Sequence, residues 1–119
     1  MFVKIITVLL ALSLLISAEP ATASSPTMEV SWYGGKFHGN KMANGRRFDK
    51  NNPTLAAHKT LPFGTKIRLE NPDTGKTLVV TVSDRGPFVR GRDLDVSEAA
   101  ARQLGILRHG SGALIAEII

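Results

Sequence analysis

The feature that most constrains the fold of this chain is the run Lys76 to Ser83, rich in Val and Thr and fenced by turn formers on both sides. Asn71-Pro72-Asp73-Thr74-Gly75 precedes it and Gly86-Pro87 follows it. β-Branched residues bounded in this way read as a strand, and this one, with Val the dominant residue, is predicted to be central to its sheet. Upstream, Lys66 to Asn71 alternates Ile67 and Leu69 with charged residues, and the Pro, Asp and Gly between the two runs suit a hairpin loop. The other candidate strands are short: Met28 to Tyr33, Leu55 to Ala57, Asp93 to Val96 and Ala113 to Ile119. One Ala-rich helix is predicted over Glu98 to Leu104, with Ser97 as N-cap, Glu98 favoured by the helix dipole and Gly105 as the stop. About six short strands and one short helix in roughly 95 residues describe an all-β domain. Closure into a small barrel is the arrangement that removes its exposed edges. A long polar loop, Lys36 to about Pro53, interrupts the pattern, and loops of that length in compact domains usually carry function or disorder.

Met1 to Ala23 reads as a secretory signal peptide. Lys4 gives the positive start, Ile5 to Ile16 is apolar apart from Thr7 and Ser13, and Ala21-Thr22-Ala23 supplies a small-residue cleavage site, with a second option after Ala18. The apolar core is shorter than the roughly 20 residues of a bilayer span. The expectation is an exported, monomeric domain from Ser24 to Ile119, in the periplasm or outside the cell, with no membrane insertion after cleavage. The chain has no cysteine, which excludes disulfides, thiolate metal sites and a lipidated cysteine. The formal net charge is +5, and Lys4 and Glu19 cancel within the leader, so the mature domain is basic. Its cations are scattered rather than clustered, and export argues against nucleic acid as a partner. Acidic wall polymers, such as peptidoglycan stem carboxylates, fit the charge better.

Candidate chemistry centres on Ser83-Asp84-Arg85-Gly86-Pro87-Phe88, where the strongest strand runs into a Gly-Pro turn. A carboxyl group displayed at a strand end on the wall of a cleft can serve as a general acid, while the alternative is that Asp84 caps the turn and pairs with Arg85. His38, His58 and His109 lack the spacing of a metal site, and no metal or cofactor is expected. His58, between a short apolar strand and a turn, suits a cleft; His38 lies in the long loop, and His109 in a glycine-flanked one. Asp93 and Asp95 flank Leu94 and share one face of a strand, with Asp95 a candidate buried acceptor. Trp32, Tyr33 and Phe37 form an aromatic cluster suited either to stacking on sugar rings or to filling the core.

Taken together these segments resemble the rare lipoprotein A (RlpA) family of double-psi β-barrel domains. The resemblance rests on Ser31-Trp32-Tyr33-Gly34 with Phe37-His38-Gly39, on Ala43-Asn44-Gly45 with Phe48-Asp49, and on Ala56-Ala57-His58-Lys59-Thr60-Leu61-Pro62-Phe63-Gly64-Thr65. It continues through Asn71, Gly75, Asp84-Arg85-Gly86-Pro87-Phe88 and Asp95-Val96-Ser97 to Ala99-Ala100, and so covers the chain from about Glu29 to its end. It implies a six-stranded double-psi barrel and an endolytic lytic transglycosylase that cuts the MurNAc–GlcNAc bonds of peptidoglycan glycan strands, leaving 1,6-anhydro ends. By this resemblance Asp84 is the general acid/base and His58 a cleft residue that binds or polarises substrate. Trp32, Tyr33, His38, Arg46, Arg85 and Asp95 complete the expected substrate-binding set.

One position departs from the family pattern. Members usually carry a glutamate directly after the Asn-Gly or Ser-Gly of the long loop, and here Asn44-Gly45 is followed by Arg46 and Arg47. A guanidinium cannot replace a carboxyl in acid or base chemistry. Three readings follow: Asp84 acts alone, Asp49 substitutes, or the domain is a non-catalytic glycan-binding or wall-loosening module of the expansin kind.

Overall fold

The structure is a computed structural model and describes residues 25–119. The leader predicted at Met1 to Ala23 lies outside the described residues. Six strands form the domain: β1 (Thr27–Trp32), β2 (Leu55–His58), β3 (Lys66–Glu70), β4 (Thr77–Asp84), β5 (Leu94–Val96) and β6 (Ser111–Ile118). They close into a barrel in the order β1-β5-β2-β4-β3-β6. The pairs β1/β5 and β2/β4 are parallel, and β2/β5, β3/β4, β3/β6 and β1/β6 are antiparallel. Closure leaves none of the six strands with an open edge.

β4 lies between β2 and β3, but closure gives every strand two neighbours, so none is more central than another; its Val80 and Val82 are fully inside. The core is the inner face of each strand, with Val30, Ile67, Leu69, Leu94, Val96 and Leu114 buried beside them. The hairpin over Asn71 to Gly75 forms as expected, with Gly75 at φ 77°. Asn71 ties it to the helix: its side chain is buried, accepts from Asp73 N at 3.0 Å and donates to Leu104 O at 2.7 Å. That carbonyl is in the last turn of α1 (Glu98–Leu104), where a backbone acceptor would otherwise lack a partner. α1 has the caps read from the sequence, Ser97 Oγ accepting from Ala100 N at 3.1 Å and Gly105 in the left-handed region at φ 79°. Ala100, Ala101 and Leu104 pack against the core.

The segment from Lys36 to Pro53 is more ordered than a polar loop. A short 3-10 turn (Gly35–Phe37) opens it, and Lys41 bridges to Arg47 to make a small hairpin. Met42 and Phe48 from this hairpin are buried, which gives the excursion its own apolar anchor. A register shift between Ala56 and Ala57 in the β2/β4 pairing sets Asp84 opposite Ala57. Bulges of this kind re-aim side chains at the ends of strands.

Candidate functional site

The last residue of β4 is Asp84, and its carboxylate is the most heavily bonded group on the surface of the barrel. Oδ1 accepts from Ala43 N at 2.7 Å and from Arg85 N at 2.8 Å, and Oδ2 accepts from the Tyr33 hydroxyl at 2.8 Å. Two of these donors are backbone amides fixed in place, one on the hairpin of the long loop and one in the turn after β4. The third is a phenol brought in by the end of β1. Tyr33 is itself wedged by its ring, stacked on buried Phe48 at 4.2 Å between centroids and met edge-on by Phe37 at 5.9 Å. Burial of the phenol pushes its pKa well above the usual tyrosine range, the hydrogen bond to Asp84 and the negative charge of Asp84 add to this, and Asp95 contributes last.

Asp84 lies on the wall of an open groove of about 640 Å³. Trp32, Tyr33, Phe37 and Phe88 give the groove aromatic walls, Lys36, Lys41, Arg85 and Arg92 line it with cations, and Asp84 and Asp95 are its two carboxylates. Phe88 is 80% exposed and lines the same groove as Asp84. Its signal in the sequence is its place at the end of the Asp-Arg-Gly-Pro-Phe run. Asp95 reaches the groove from β5 and accepts from the buried Ser31 hydroxyl on the neighbouring β1. Asp93 lies just before β5 and outside the groove lining, and accepts from Glu29 N on β1 at 2.8 Å.

Of the residues singled out from the sequence, Trp32, Tyr33, Asp84, Arg85 and Asp95 converge on this groove. Arg85 does not pair with Asp84 through its side chain. Its guanidinium donates to the carbonyls of His58 at 3.1 Å and Leu61 at 2.7 Å and lies over the Phe63 ring at 4.2 Å, so it braces the turn after β2. The ring of His58 does not line the groove. Its Nδ1 accepts from Thr60 N at 3.1 Å and Leu61 N at 3.0 Å, closing the turn that Arg85 braces. Desolvation lowers the His58 pKa first, and the charges of Lys59 and Arg85 add to that against an opposing pull from Asp93. Two amides aimed at Nδ1 favour the same unprotonated state. His38 is likewise outside the groove, its Nδ1 accepting from Lys50 N at 3.1 Å. Asp49 caps its own turn by accepting from Asn51 N at 2.9 Å and lines neither this groove nor its neighbour. Arg46 lines a separate pocket on the far side of Met42. Arg46 is thus absent from the lining that Asp84 and Asp95 share.

Comparison with known proteins agrees with this architecture. A family model described as lytic transglycolase matches residues 26–114. A probable endolytic peptidoglycan transglycosylase RlpA of Aquifex aeolicus is 55% identical over 81 residues, which is 68% of this chain and 35% of that protein. The endolytic peptidoglycan transglycosylase RlpA of Neisseria meningitidis serogroup B is 51% identical over 85 residues, 71% of this chain and 35% of its own length. The chain thus matches only about a third of the length of these relatives. Among solved structures, a Streptomyces papain inhibitor superposes with a TM-score of 0.61 at 23% identity, covering 81% of this chain and 94% of the inhibitor. The expansin of Clavibacter michiganensis does so with a TM-score of 0.60 at 23% identity, covering 81% of this chain and 50% of the expansin. At that identity the two structures establish the barrel fold alone. With the match running from β1 into β6, the chain belongs to the RlpA-type lytic transglycolase family of double-psi β-barrels.

Proposed function

We propose that this domain is an endolytic lytic transglycosylase of peptidoglycan glycan strands, with Asp84 as its general acid and then base. The observation that carries the reading is the placement of the Asp84 carboxyl, fixed by three donors on the wall of an open, aromatic-lined groove. Oδ1 is committed to two amides that can only donate. Oδ2 faces a hydroxyl, which can donate to a carboxylate or accept from a carboxylic acid. The reactive proton therefore rides on Oδ2, and Tyr33 keeps a hydrogen bond to it in both states.

The reaction balances on this one group. Asp84 gives its proton to the glycosidic oxygen as the C1–O bond breaks, and the ionised carboxylates of Asp84 and Asp95 offset the positive charge that develops at C1. The C6 hydroxyl of the same muramic acid residue then attacks C1 and returns its proton to Asp84. The products are a 1,6-anhydro end and a free hydroxyl, and no water is consumed. No second carboxylate is needed to position a nucleophile, so Arg46 does not forbid the chemistry. His58 acts as a positioning residue, holding the turn against which Arg85 is braced. Export through the Met1–Ala23 leader, with action in the cell wall, accords with this substrate.

The alternative is a glycan-binding or wall-loosening module, favoured by the cation at position 46. The two separate on product analysis. Incubation with purified glycan strands, followed by mass spectrometry, should give new 1,6-anhydro ends that disappear in Asp84→Asn. Retained binding with no new ends would establish the module instead.

A further inference from the structure

Four aromatic side chains line the groove, and three of them are already committed to the protein. Tyr33 is stacked on Phe48, in T-shaped contact with Phe37 and hydrogen-bonded to Asp84. Phe37 has that contact with Tyr33 and Lys36 Nζ 5.5 Å from its ring centroid. Trp32 packs against the barrel core. Phe88 is the fourth, and among the described residues its ring meets no other aromatic ring and no cation. It is 80% exposed, while Gly86 and Pro87 just before it are buried. The ring is nevertheless seated. A Cβ on Gly86 would lie 3.5 Å from Cε2 and 3.7 Å from Cδ2 of Phe88, so one side of the ring rests over the glycine and the remainder is open. Gly86 has φ 127°, which a side chain at that position would strain, so the seat is one that glycine provides. The rest of the loop is tied down as well. Arg92 N donates to Val89 O at 3.2 Å, and Lys59 Nζ donates to Arg92 O at 2.7 Å, joining the loop to the turn after β2.

Phe88 and Asp84 line one groove, so a glycan strand that brings a glycosidic oxygen to Asp84 occupies the space Phe88 faces. Hexopyranose rings with equatorial substituents present flat faces of axial C–H groups. Those weakly positive hydrogens match the negative face of an aromatic ring in shape and polarity. A phenylalanine brings no hydrogen-bonding group to such a contact, so it reads the shape of a sugar ring rather than its substituents. We infer that Phe88 is a saccharide platform, the side chain on which one pyranose ring of the bound strand stacks. Tyr33, Phe37 and Trp32 are held in their own packing and shape the wall around it. The inference rests on the function proposed above and deepens it by naming the residue that grips a sugar ring.

Because Phe88 is mostly in solvent, its substitutions should leave the melting temperature unchanged, and a loss of binding then reports contact rather than folding. Calorimetric titration of the Asp84→Asn protein with soluble glycan oligomers stripped of stem peptides gives affinity without turnover. Adding Phe88→Ala should weaken binding about ten-fold, since covering one face of the ring recovers about half of its full transfer free energy. Phe88→Tyr should stay within about two-fold of the parent, whereas Phe88→Leu, apolar but not flat, should lose most of the affinity. In the otherwise wild-type chain, Phe88→Ala should raise KM for anhydro-end formation more than it lowers kcat, because stacking is made alike in ground and transition states. Unchanged affinity in Phe88→Ala, full recovery by Phe88→Leu, or no measurable binding by the parent would overturn the platform. Unchanged affinity is also the result expected if Phe88 docks another protein instead. A wild-type chain that makes no anhydro ends, yet binds glycan in a Phe88-dependent way, would keep the platform and sink the lytic reading. Anhydro ends formed with the same KM by Phe88→Ala would do the reverse.

Discussion

Tyr33 is the only tyrosine in the chain, so its ionisation can be read directly by absorbance near 295 nm. Burial raises the phenol pKa above its ordinary value of 10.0, and the hydrogen bond to Asp84 and the charges of Asp84 and Asp95 raise it further. An unperturbed tyrosine would be about nine-tenths ionised at pH 11. The folded domain should show almost no phenolate there, and the signal should appear only as the protein unfolds. The linkage has a definite sign. Because the folded-state value is the raised one, the unfolded chain loses this proton first. The contribution to stability is complete below pH 10 and is lost as pH rises further, at up to about 1.4 kcal/mol per pH unit for one proton. Denaturation at pH 9 to 11 should therefore show a steeper alkaline loss for wild type than for Tyr33→Phe. Asp84→Asn removes the neighbouring charge but not the burial, so its phenolate transition should move back toward 10 without reaching it. A reversible transition near pH 10 in the folded wild-type protein would refute the burial of the phenol, and an Asp84→Asn transition no lower than that of wild type would refute the Tyr33–Asp84 contact and with it the assignment of the reactive proton to Oδ2.

Two further perturbations test the frame around the site. Asn71→Ala leaves the buried carbonyl of Leu104 and the amide of Asp73 without their partner, and should cost about 1–3 kcal/mol in chemical denaturation with the barrel intact. His58 has a folded-state pKa below its unfolded value, so the unfolded chain gains the proton first and stability falls as pH drops below about 6.5. The melting temperature should decline between pH 7.5 and pH 5 in wild type, and His58→Ala should flatten that decline. An unchanged slope in the variant would show that the Nδ1 contacts to Thr60 and Leu61 do not matter.

Much of this fold was legible because it is built from local signals. Lys76 to Ser83 lies between turn formers and forms β4 with only a one-residue offset, and Ser97 and Gly105 bound α1 where capping chemistry places them. The end of β4 carries Asp84 into a turn, which marks it as a displayed acid before any contact is known. What the sequence hides are the contacts made by closing the barrel. Tyr33 and Asp84 are 51 residues apart, and nothing local says that the phenol meets Oδ2 rather than a substrate. His58 suits a cleft by its position after a short strand, yet two amides of its own turn draw the ring back. Arg85 beside Asp84 suggests an ion pair, but the carbonyls of His58 and Leu61 lie within reach and take its guanidinium. The long polar segment conceals Met42 and Phe48, single apolar residues with no periodic partner, whose burial follows from the hairpin folding over the barrel. The pocket around Arg46 is the consequence of that same hairpin and has no linear signature.

In the proposed reaction one carboxyl group breaks the glycosidic bond and the substrate's own C6 hydroxyl completes it. Digestion of glycan strands in water enriched in oxygen-18, followed by mass spectrometry of the new ends, tests this most directly. Anhydro ends with no label incorporated are expected, and they should be lost in Asp84→Asn. One labelled oxygen at each new anomeric end would mean that water is the nucleophile, and would contradict it.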